Sequence, residues 1–224
     1  QISVTVCDNK CSPGKWSDQV GLIADNDCKP CSQGKWSNQD GLVSDSECIG
    51  CVGGRYSISD GQASVDACLA CGAGTYADSG VNQTSSNVCK ACISGFYSTS
   101  GKAQISIDVC KPCQAGRYSD AGPGQTSSNV CKICDGGKYS KDSGVTSEDK
   151  CLPCTKVGYF CPEGATNETE NQCKQGTYAD DAGLSECKVC PEGQYQSELT
   201  QTDCIDCKKG TFLSDKDRPI YHGK

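Results

Sequence analysis

A cysteine that is followed at fixed distances by a glycine and an aromatic residue recurs along the whole chain, and this period constrains the fold most. We call these residues lead cysteines, and most of them close a Cys-x-x-Cys pair. The lead cysteines are Cys11, Cys31, Cys51, Cys71, Cys92, Cys113, Cys134, Cys154, Cys173, Cys190 and Cys207. Their spacing is 20 or 21 residues as far as Cys154, and then 19, 17 and 17 residues. A period near 20 residues predicts a linear array of small modules rather than one globule.

A glycine, which we call the turn glycine, follows the lead cysteine by three positions, and an aromatic residue follows it by five. Only the unit of Cys154 departs from this rule, since its turn glycine comes one place late at Gly158 and its aromatic residue by count is Tyr159. Glycine can adopt a positive φ in a tight turn, and the aromatic residue with its following serine suits an extended strand. We therefore expect each module to contain a turn and a short two-stranded ribbon, with little helix.

The composition indicates that disulfides replace a conventional core. Leu, Ile, Val and Phe make up about 15% of the chain, below the ~20% at which chains of ordinary chemistry tend to stay disordered. Cysteine supplies 22 of the 224 residues, the level of a disulfide scaffold. The expected fold class is small and disulfide-rich, mainly β or irregular, in an elongated tandem array of about ten modules.

The repeat divides the sequence into five segments. They are a strand-like segment at 1–6, regular repeats at 7–153, an irregular repeat at 154–173, shorter repeats at 173–207, and a partial unit with a tail at 208–224. In the first segment Ile2, Val4 and Val6 alternate with polar residues, as in a half-buried strand. This strand has no partner in its own unit, so we expect it to add to an edge in another subunit, with a frayed terminus as the alternative.

The unit also suggests how the cysteines pair. Two cysteines separated by two residues rarely bridge each other, whereas a lead cysteine and the first cysteine of the next unit bracket one repeat. The nine expected pairs are Cys11–Cys28, Cys31–Cys48, Cys51–Cys68, Cys71–Cys89, Cys92–Cys110, Cys113–Cys131, Cys134–Cys151, Cys173–Cys187 and Cys190–Cys204. In the irregular unit Cys154 and Cys161 are close enough in sequence to pair. Cys7 and Cys207 are left as unpaired or intersubunit cysteines, possible partners of each other between chains.

The motif Cys-x-x-Gly-[Lys/Arg/Thr]-[Tyr/Trp]-Ser, followed by a polar loop and Cys-x-x-Cys, resembles the ephrin-receptor-like cysteine-rich repeat. That repeat is related to the simplest module of tumour-necrosis-factor receptors, and the resemblance covers about residues 7–212. It implies disulfide-looped β modules stacked end to end in extracellular proteins, supports the pairing above, and implies no enzymatic activity. Such arrays occur in receptors and in surface and flagellar-hair proteins of single-celled eukaryotes.

Other chemistries fit the pattern less well. Zinc binding would leave the glycine-aromatic period without a role, and redox catalysis would require one Cys-x-x-Cys pair in a distinctive context. The single histidine, His222, is interpreted as an exposed tail residue, and acidic pairs such as Asp180-Asp181 as solvated turns rather than calcium ligands. We therefore predict no enzyme, and no catalytic, metal-binding or cofactor-binding residue. The net charge of −7 argues against a nucleic-acid partner.

The cysteine content indicates an oxidising compartment, so we place the protein outside the cell or at the cell surface. Two sequons predict N-linked glycans at Asn82 and Asn167, and no run of about 18 apolar residues suggests a membrane span. The predicted function is that of an extracellular structural protein, a disulfide-braced glycosylated rod that builds a filament or cell-surface appendage. The alternative is a ligand-binding segment of a receptor ectodomain. Expected partners are further copies associating head to tail, or neighbouring repeats of a longer array.

Overall fold

The structure is a computed structural model that describes residues 9–213. Within this range, strands of two residues pair into antiparallel ribbons, and the helical segments are 3-10 turns of three residues. The ribbons join β1 (Lys15–Trp16) with β2 (Lys29–Pro30), β3 (Lys35–Trp36) with β4 (Ile49–Gly50), β5 (Arg55–Tyr56) with β6 (Leu69–Ala70), β7 (Thr75–Tyr76) with β8 (Lys90–Ala91), β9 (Phe96–Tyr97) with β10 (Lys111–Pro112), β11 (Arg117–Tyr118) with β12 (Lys132–Ile133), β13 (Lys138–Tyr139) with β14 (Leu152–Pro153), β15 (Tyr159–Phe160) with β16 (Asn171–Gln172), β17 (Thr177–Tyr178) with β18 (Lys188–Val189), and β19 (Gln194–Tyr195) with β20 (Ile205–Asp206). The 3-10 turns are Asp25–Asp27, Asp45–Glu47, Val65–Ala67, Ser86–Val88, Ile107–Val109, Ser128–Val130 and Glu148–Lys150.

Each ribbon belongs to one module, and we number the modules by their lead cysteines. Modules 1 to 10 are residues 11–30, 31–50, 51–70, 71–91, 92–112, 113–133, 134–153, 154–172, 173–189 and 190–206. The expected fold class of small disulfide-rich modules with short ribbons is confirmed.

Contacts divide the chain into two compact units. Among the described residues, one comprises 9–92 and Ser98–Cys110, and the other Ile93–Tyr97 and 111–213. Modules 1–4 therefore lie in the first unit and modules 6–10 in the second. Module 5 contributes its disulfide to the first unit and its ribbon to the second. The same local structure recurs in both.

Module 2 shows how the sequence produces this local structure. The N–H of Lys35 donates to the carbonyl of Ser32 at 3.1 Å, which closes a turn in which Gly34 has a φ of 77°. Further along, the hydroxyl of Ser44 accepts the N–H of Ser46 and caps the 3-10 turn. Serine caps the corresponding turn in modules 3 to 6. The 3-10 turn places Cys48 next to the lead cysteine Cys31. Local backbone hydrogen bonds therefore position both ends of the disulfide.

Disulfides form the centre of every module. The structure joins Cys11–Cys28, Cys31–Cys48, Cys51–Cys68, Cys71–Cys89, Cys92–Cys110, Cys113–Cys131, Cys134–Cys151, Cys154–Cys161, Cys173–Cys187 and Cys190–Cys204. These are the pairs proposed from the repeat pattern. Among the described residues Cys207 alone forms no disulfide, and Cys7 lies outside them. Most of the lead cysteines are almost fully buried, so cystine takes the place of an aliphatic core.

Candidate functional site

The junction between successive modules is the most regular feature of the structure, and modules 6 and 7 illustrate it. The ring of Tyr118 in module 6 packs against Val145 and against the Cys134–Cys151 disulfide of module 7. The N–H of Ser119 donates to the carbonyl of Val145 at 2.9 Å. A module therefore places its aromatic ring on the disulfide of the module that follows it.

Corresponding contacts recur in both units. Trp16 packs on the cluster of Cys31, Leu42 and Cys48, and Tyr139 on the cluster of Cys154, Cys161 and Ala165. The aromatic strand forms a parallel bridge to the next module in each of the pairs Trp16–Leu42, Trp36–Gln62, Tyr56–Gln83, Tyr76–Gln104, Tyr97–Gln125, Tyr118–Val145 and Tyr139–Ala165.

Two further backbone hydrogen bonds close the junction of modules 6 and 7. The N–H of Gly144 donates to the carbonyl of the lead cysteine Cys113 at 2.7 Å, and the N–H of Gly116 donates to the carbonyl of Ser140 at 2.7 Å. Other lead cysteines accept in the same way, in the pairs Gly41–Cys11, Gly61–Cys31, Asn82–Cys51, Ala103–Cys71, Gly164–Cys134 and Thr200–Cys173. Because these bonds use main-chain groups, they depend on backbone conformation more than on side-chain identity.

The turn glycines also contact the module two places further on. A Cβ on Gly116 would overlap the carbonyl oxygen of Gly164 in module 8. The same overlap would occur in the pairs Gly14–Gly61, Gly34–Asn82, Gly54–Ala103, Gly95–Gly144, Gly137–Gly183 and Gly158–Thr200. Each such module therefore needs glycine both for a positive φ and for close approach of another backbone.

The role of the second residue of each pair in the junction was not predicted from the sequence, because that residue is not always glycine. Asn82, Ala103 and Thr200 occupy this position with φ values of 60°, 61° and 59°, in the left-handed region that non-glycine residues seldom adopt. The glutamine that follows, as in Gln83 and Gln104, is the sequence signal that could have identified this position. Its side-chain amide donates to a carbonyl of its own loop.

Module 8 departs from the others by a shift of one residue. Phe160, and not Tyr159, takes the aromatic position, because Phe160 pairs with Asn171 as Trp16 pairs with Lys29. The assignment of Tyr159 by counting from the lead cysteine was wrong, since the extra residue lies before Gly158 and moves the strand with it. Cys161 then falls at the buried position where most modules have serine.

The same shift explains the short Cys154–Cys161 disulfide. The position that precedes the second strand of the ribbon is a cysteine in the other modules, and in module 8 it is Glu170. Cys154 lacks its usual partner there and pairs instead with Cys161, which is fully buried.

A paired substitution should restore regular connectivity in this module. We expect Cys161→Ser with Glu170→Cys to form a disulfide between Cys154 and the new cysteine. The enclosed sequence separation would rise from 7 to 16 residues, which adds about 0.7 kcal/mol in the loop-entropy relation. Non-reducing peptide mapping and thermal unfolding measure the two effects. Cys161→Ser alone is the control and should leave Cys154 with a free thiol; retention of that free thiol in the double variant would contradict the assignment.

Charged side chains brace the loops of the modules. In module 1, Asp25 accepts hydrogen bonds from Lys15 Nζ at 2.6 Å and from the N–H and hydroxyl of Ser12 at 2.8 and 2.9 Å. The hydrogen bond from Lys15, followed by those from Ser12, lowers the pKa of Asp25 from 3.8 to about 2. The carboxylate thus ties the start of the module to its 3-10 turn.

This arrangement predicts how module 1 responds to acid. The depressed pKa means that Asp25 stabilises the folded state above about pH 3.8, and that this contribution is lost as the pH falls through about 2. Lys15→Met should raise the pKa of Asp25 towards 3.8 because it removes the largest cause of the shift. The carboxyl chemical shift of Asp25 followed by NMR between pH 1 and 6 measures both. An unchanged midpoint in the variant would show that Lys15 does not hold the carboxylate.

Of the remaining predicted residues, Asn82 belongs to a junction, where its N–H donates to the carbonyl of Cys51. Asp180 and Asp181 both contact Lys188 Nζ, at 2.6 and 3.1 Å, and residues 9–213 contain no cluster of three metal-ligating side chains. Asn82 and Asn167 are exposed. His222 and the segment with Ile2, Val4 and Val6 fall outside the described residues.

Of the cavities that open on the surface of the described modules, two lie at modules 1 and 8. One, of about 750 Å³, lies beside the Cys11–Cys28 disulfide and is lined in part by Leu22 and Ile23. The other, of about 830 Å³, is lined by Phe160 and Leu199 among polar neighbours. Both combine apolar and polar groups, as binding surfaces do. None of the helical segments in the described range is long or apolar enough to cross a membrane.

Comparison with known proteins agrees with this architecture. The sequence model of a family described as tyrosine-protein kinase ephrin type A/B receptor-like matches residues 176–216. No curated protein matches the chain. Repeats of this family are non-catalytic. Eight of the ten disulfides lie before the match and close modules of the same kind there. The match spans 41 of the 224 residues, and the modules before it have the same disulfide-looped ribbon, so the chain resembles an array of ephrin-receptor-like cysteine-rich repeats.

Proposed function

We propose that this protein is a structural building block of an extracellular filament or cell-surface appendage. The ten disulfides and the ectodomain-type modules indicate an extracellular or secreted protein. The structural role is supported by one observation, the near-uniform junction in which an aromatic ring, a disulfide and backbone hydrogen bonds recur from module to module. Because the modules make the same contacts, each of them can contribute equally to a spacer or strut, in which no single module carries the function.

Self-association would use the same contacts between chains. In module 2, Leu42 is covered by the ring of Trp16, whereas in module 1 the corresponding Leu22 lines the 750 Å³ cavity and its neighbour Ile23 is 94% exposed. Phe212 stands in the aromatic position and is 85% exposed. An aromatic strand from a further copy, or from a neighbouring repeat of a longer array, would cover the face of module 1 as Trp16 covers module 2.

Electron microscopy of the purified chain over a range of concentrations tests this proposal. We expect linear polymers, and we expect Ile23→Asp or Phe212→Ala to shorten them or abolish them while the ten disulfides stay closed. Val43→Asp is a matched control, because Val43 holds the place of Ile23 in module 2 and is exposed there at 59%. Separate particles at every concentration, with the wild-type chain disulfide-bonded, would contradict the structural role.

The cavity at Phe160 and Leu199 favours a second candidate, a ligand-binding segment of a receptor ectodomain. It lies beside the irregular module 8, where the repeat is least uniform. This candidate predicts a monomeric chain, so the same microscopy experiment separates it from the structural proposal.

A further inference from the structure

The two sequons of this chain lie in different structural settings. Asn167 is exposed in module 8, and its Oδ1 accepts the N–H of Thr169 at 3.1 Å and the hydroxyl of Thr169 at 3.2 Å. Both contacts of the side chain lie within the sequon, and its Nδ2 donates to none of the described residues. A group added at Nδ2 of Asn167 would therefore break no contact between modules.

Asn82 is part of a contact between modules. Its N–H donates to the carbonyl of Cys51 in module 3 at 3.0 Å, and its φ is 60°. Its carbonyl oxygen lies against Gly34, and its Oδ1 lies so close to Gly50 that a Cβ on that residue would overlap it. Both glycines belong to module 2. Asparagine tolerates the left-handed backbone better than most residues, so a structural reason accounts for its presence at position 82.

We propose that Asn167 is the N-glycosylation site of the folded array and that Asn82 remains largely unmodified. The inference rests on the extracellular location proposed above, because that location takes the chain past the glycosylation machinery. The co-reactant is an oligosaccharide carried on a lipid pyrophosphate. Nδ2 of Asn167 forms a bond to the anomeric carbon, the bond from that carbon to the pyrophosphate oxygen breaks, the lipid pyrophosphate leaves with the electron pair, and Nδ2 gives up one proton to a base.

The hydroxyl of Thr169 gives the sequon its local geometry. Thr84, the matching residue of the other sequon, makes no hydrogen bond to Asn82 in the described structure, because the amide of Asn82 is turned onto module 2. The turn at Asn167 is built from residues 167–169 alone and does not depend on how the modules pack. The site at Asn167 therefore stays accessible after the disulfides have closed. At Asn82, which is also exposed, a glycan would instead have to be accommodated beside an amide that packs on Gly50 of module 2.

Expression of the whole chain through a eukaryotic secretory pathway tests the assignment. Site-resolved mass spectrometry before and after enzymatic glycan removal should find a glycan on Asn167 in most molecules and on Asn82 in few. Asn167→Gln and Thr169→Ala should each remove the mass of one glycan, and Thr169→Ser should retain it because serine keeps the hydroxyl. Asn82→Gln should leave the mass of the attached glycan unchanged.

Disulfide mapping of the same secreted material separates the possible failures. A disulfide-bonded chain with an unmodified Asn167, or with Asn82 occupied as fully as Asn167, would overturn the assignment of the site. A secreted chain whose cysteines are mostly reduced would instead overturn the extracellular proposal. A glycan lost in Asn82→Gln and kept in Asn167→Gln would reverse the two roles.

Discussion

Gly116→Ala is expected to destabilise modules 6 to 8 by at least about 3 kcal/mol. Gly116 has a φ of 75°, which costs an alanine roughly 1–2 kcal/mol. The added methyl group would also overlap the backbone carbonyl of Gly164, and a backbone group can yield only if the modules separate. Hydrogen exchange followed by mass spectrometry, with the disulfides intact, measures the loss of protection in each module.

Substitutions at two other glycines distinguish the cost of backbone strain from the cost of steric overlap. Gly193 has a φ of 79°, but a methyl group added there would meet no atom within 4 Å, so Gly193→Ala should show only the cost of backbone strain. Gly72 has neither a positive φ nor a neighbour within 4 Å, so Gly72→Ala should be neutral or slightly stabilising. Equal losses for Gly116→Ala and Gly193→Ala would show that the contact two modules ahead contributes nothing.

Tyr118→Ala is expected to cost about 3 kcal/mol, the range for truncating a buried aromatic side chain. Tyr118 is 9% exposed and its ring packs on the disulfide of module 7, so protection should fall in residues 134–151 more than in module 6. Hydrogen exchange resolved by peptide measures this directional effect. A loss confined to module 6 would mean that the ring stabilises its own module instead.

Conservative variants control for the aromatic substitution. Tyr118→Phe should be nearly neutral, since the Tyr118 hydroxyl has no hydrogen-bond partner among the described residues. Phe212→Ala should change the monomer by less than about 0.5 kcal/mol, because Phe212 holds the equivalent position but is 85% exposed. A large effect of Phe212→Ala in the monomeric chain would contradict the view that the aromatic residue stabilises a module only where its ring is buried.

Much of the module was accessible from the sequence because its determinants are local. The lead cysteine, the positive-φ glycine and the aromatic strand lie within six residues of one another, and their repetition predicts the ribbon. The links between modules were harder to predict, because they join main-chain groups about 20 to 49 residues apart and leave little trace in side-chain identity. Ala103, for example, gives no indication in sequence that its backbone is left-handed and touches Gly54.

Module 8 shows a second reason why the sequence did not predict all of the structure. Counting from Cys154 assigns Tyr159 to the aromatic position, but pairing follows the glycine turn, which carries Phe160 into that position instead. A strand register is set by the turn and the ladder rather than by the preceding cysteine. The candidate glycosylation sites were likewise equivalent in sequence, and only the contacts of Asn82 with module 2 distinguish them.

Because a turn glycine contacts a residue two modules ahead, a module can close its disulfide before the residue on which it stacks has been synthesised. The Cys11–Cys28 disulfide spans 17 residues, whereas Gly14 must wait for Gly61, 47 residues downstream. At roughly 5–20 residues per second, that delay is about 2–10 s. Each newly synthesised module can thus form its disulfide before it stacks. In the two most recently synthesised modules, the turn glycines have not yet made their downstream contacts, so this part of the backbone stays accessible to the folding enzymes that act on the growing chain.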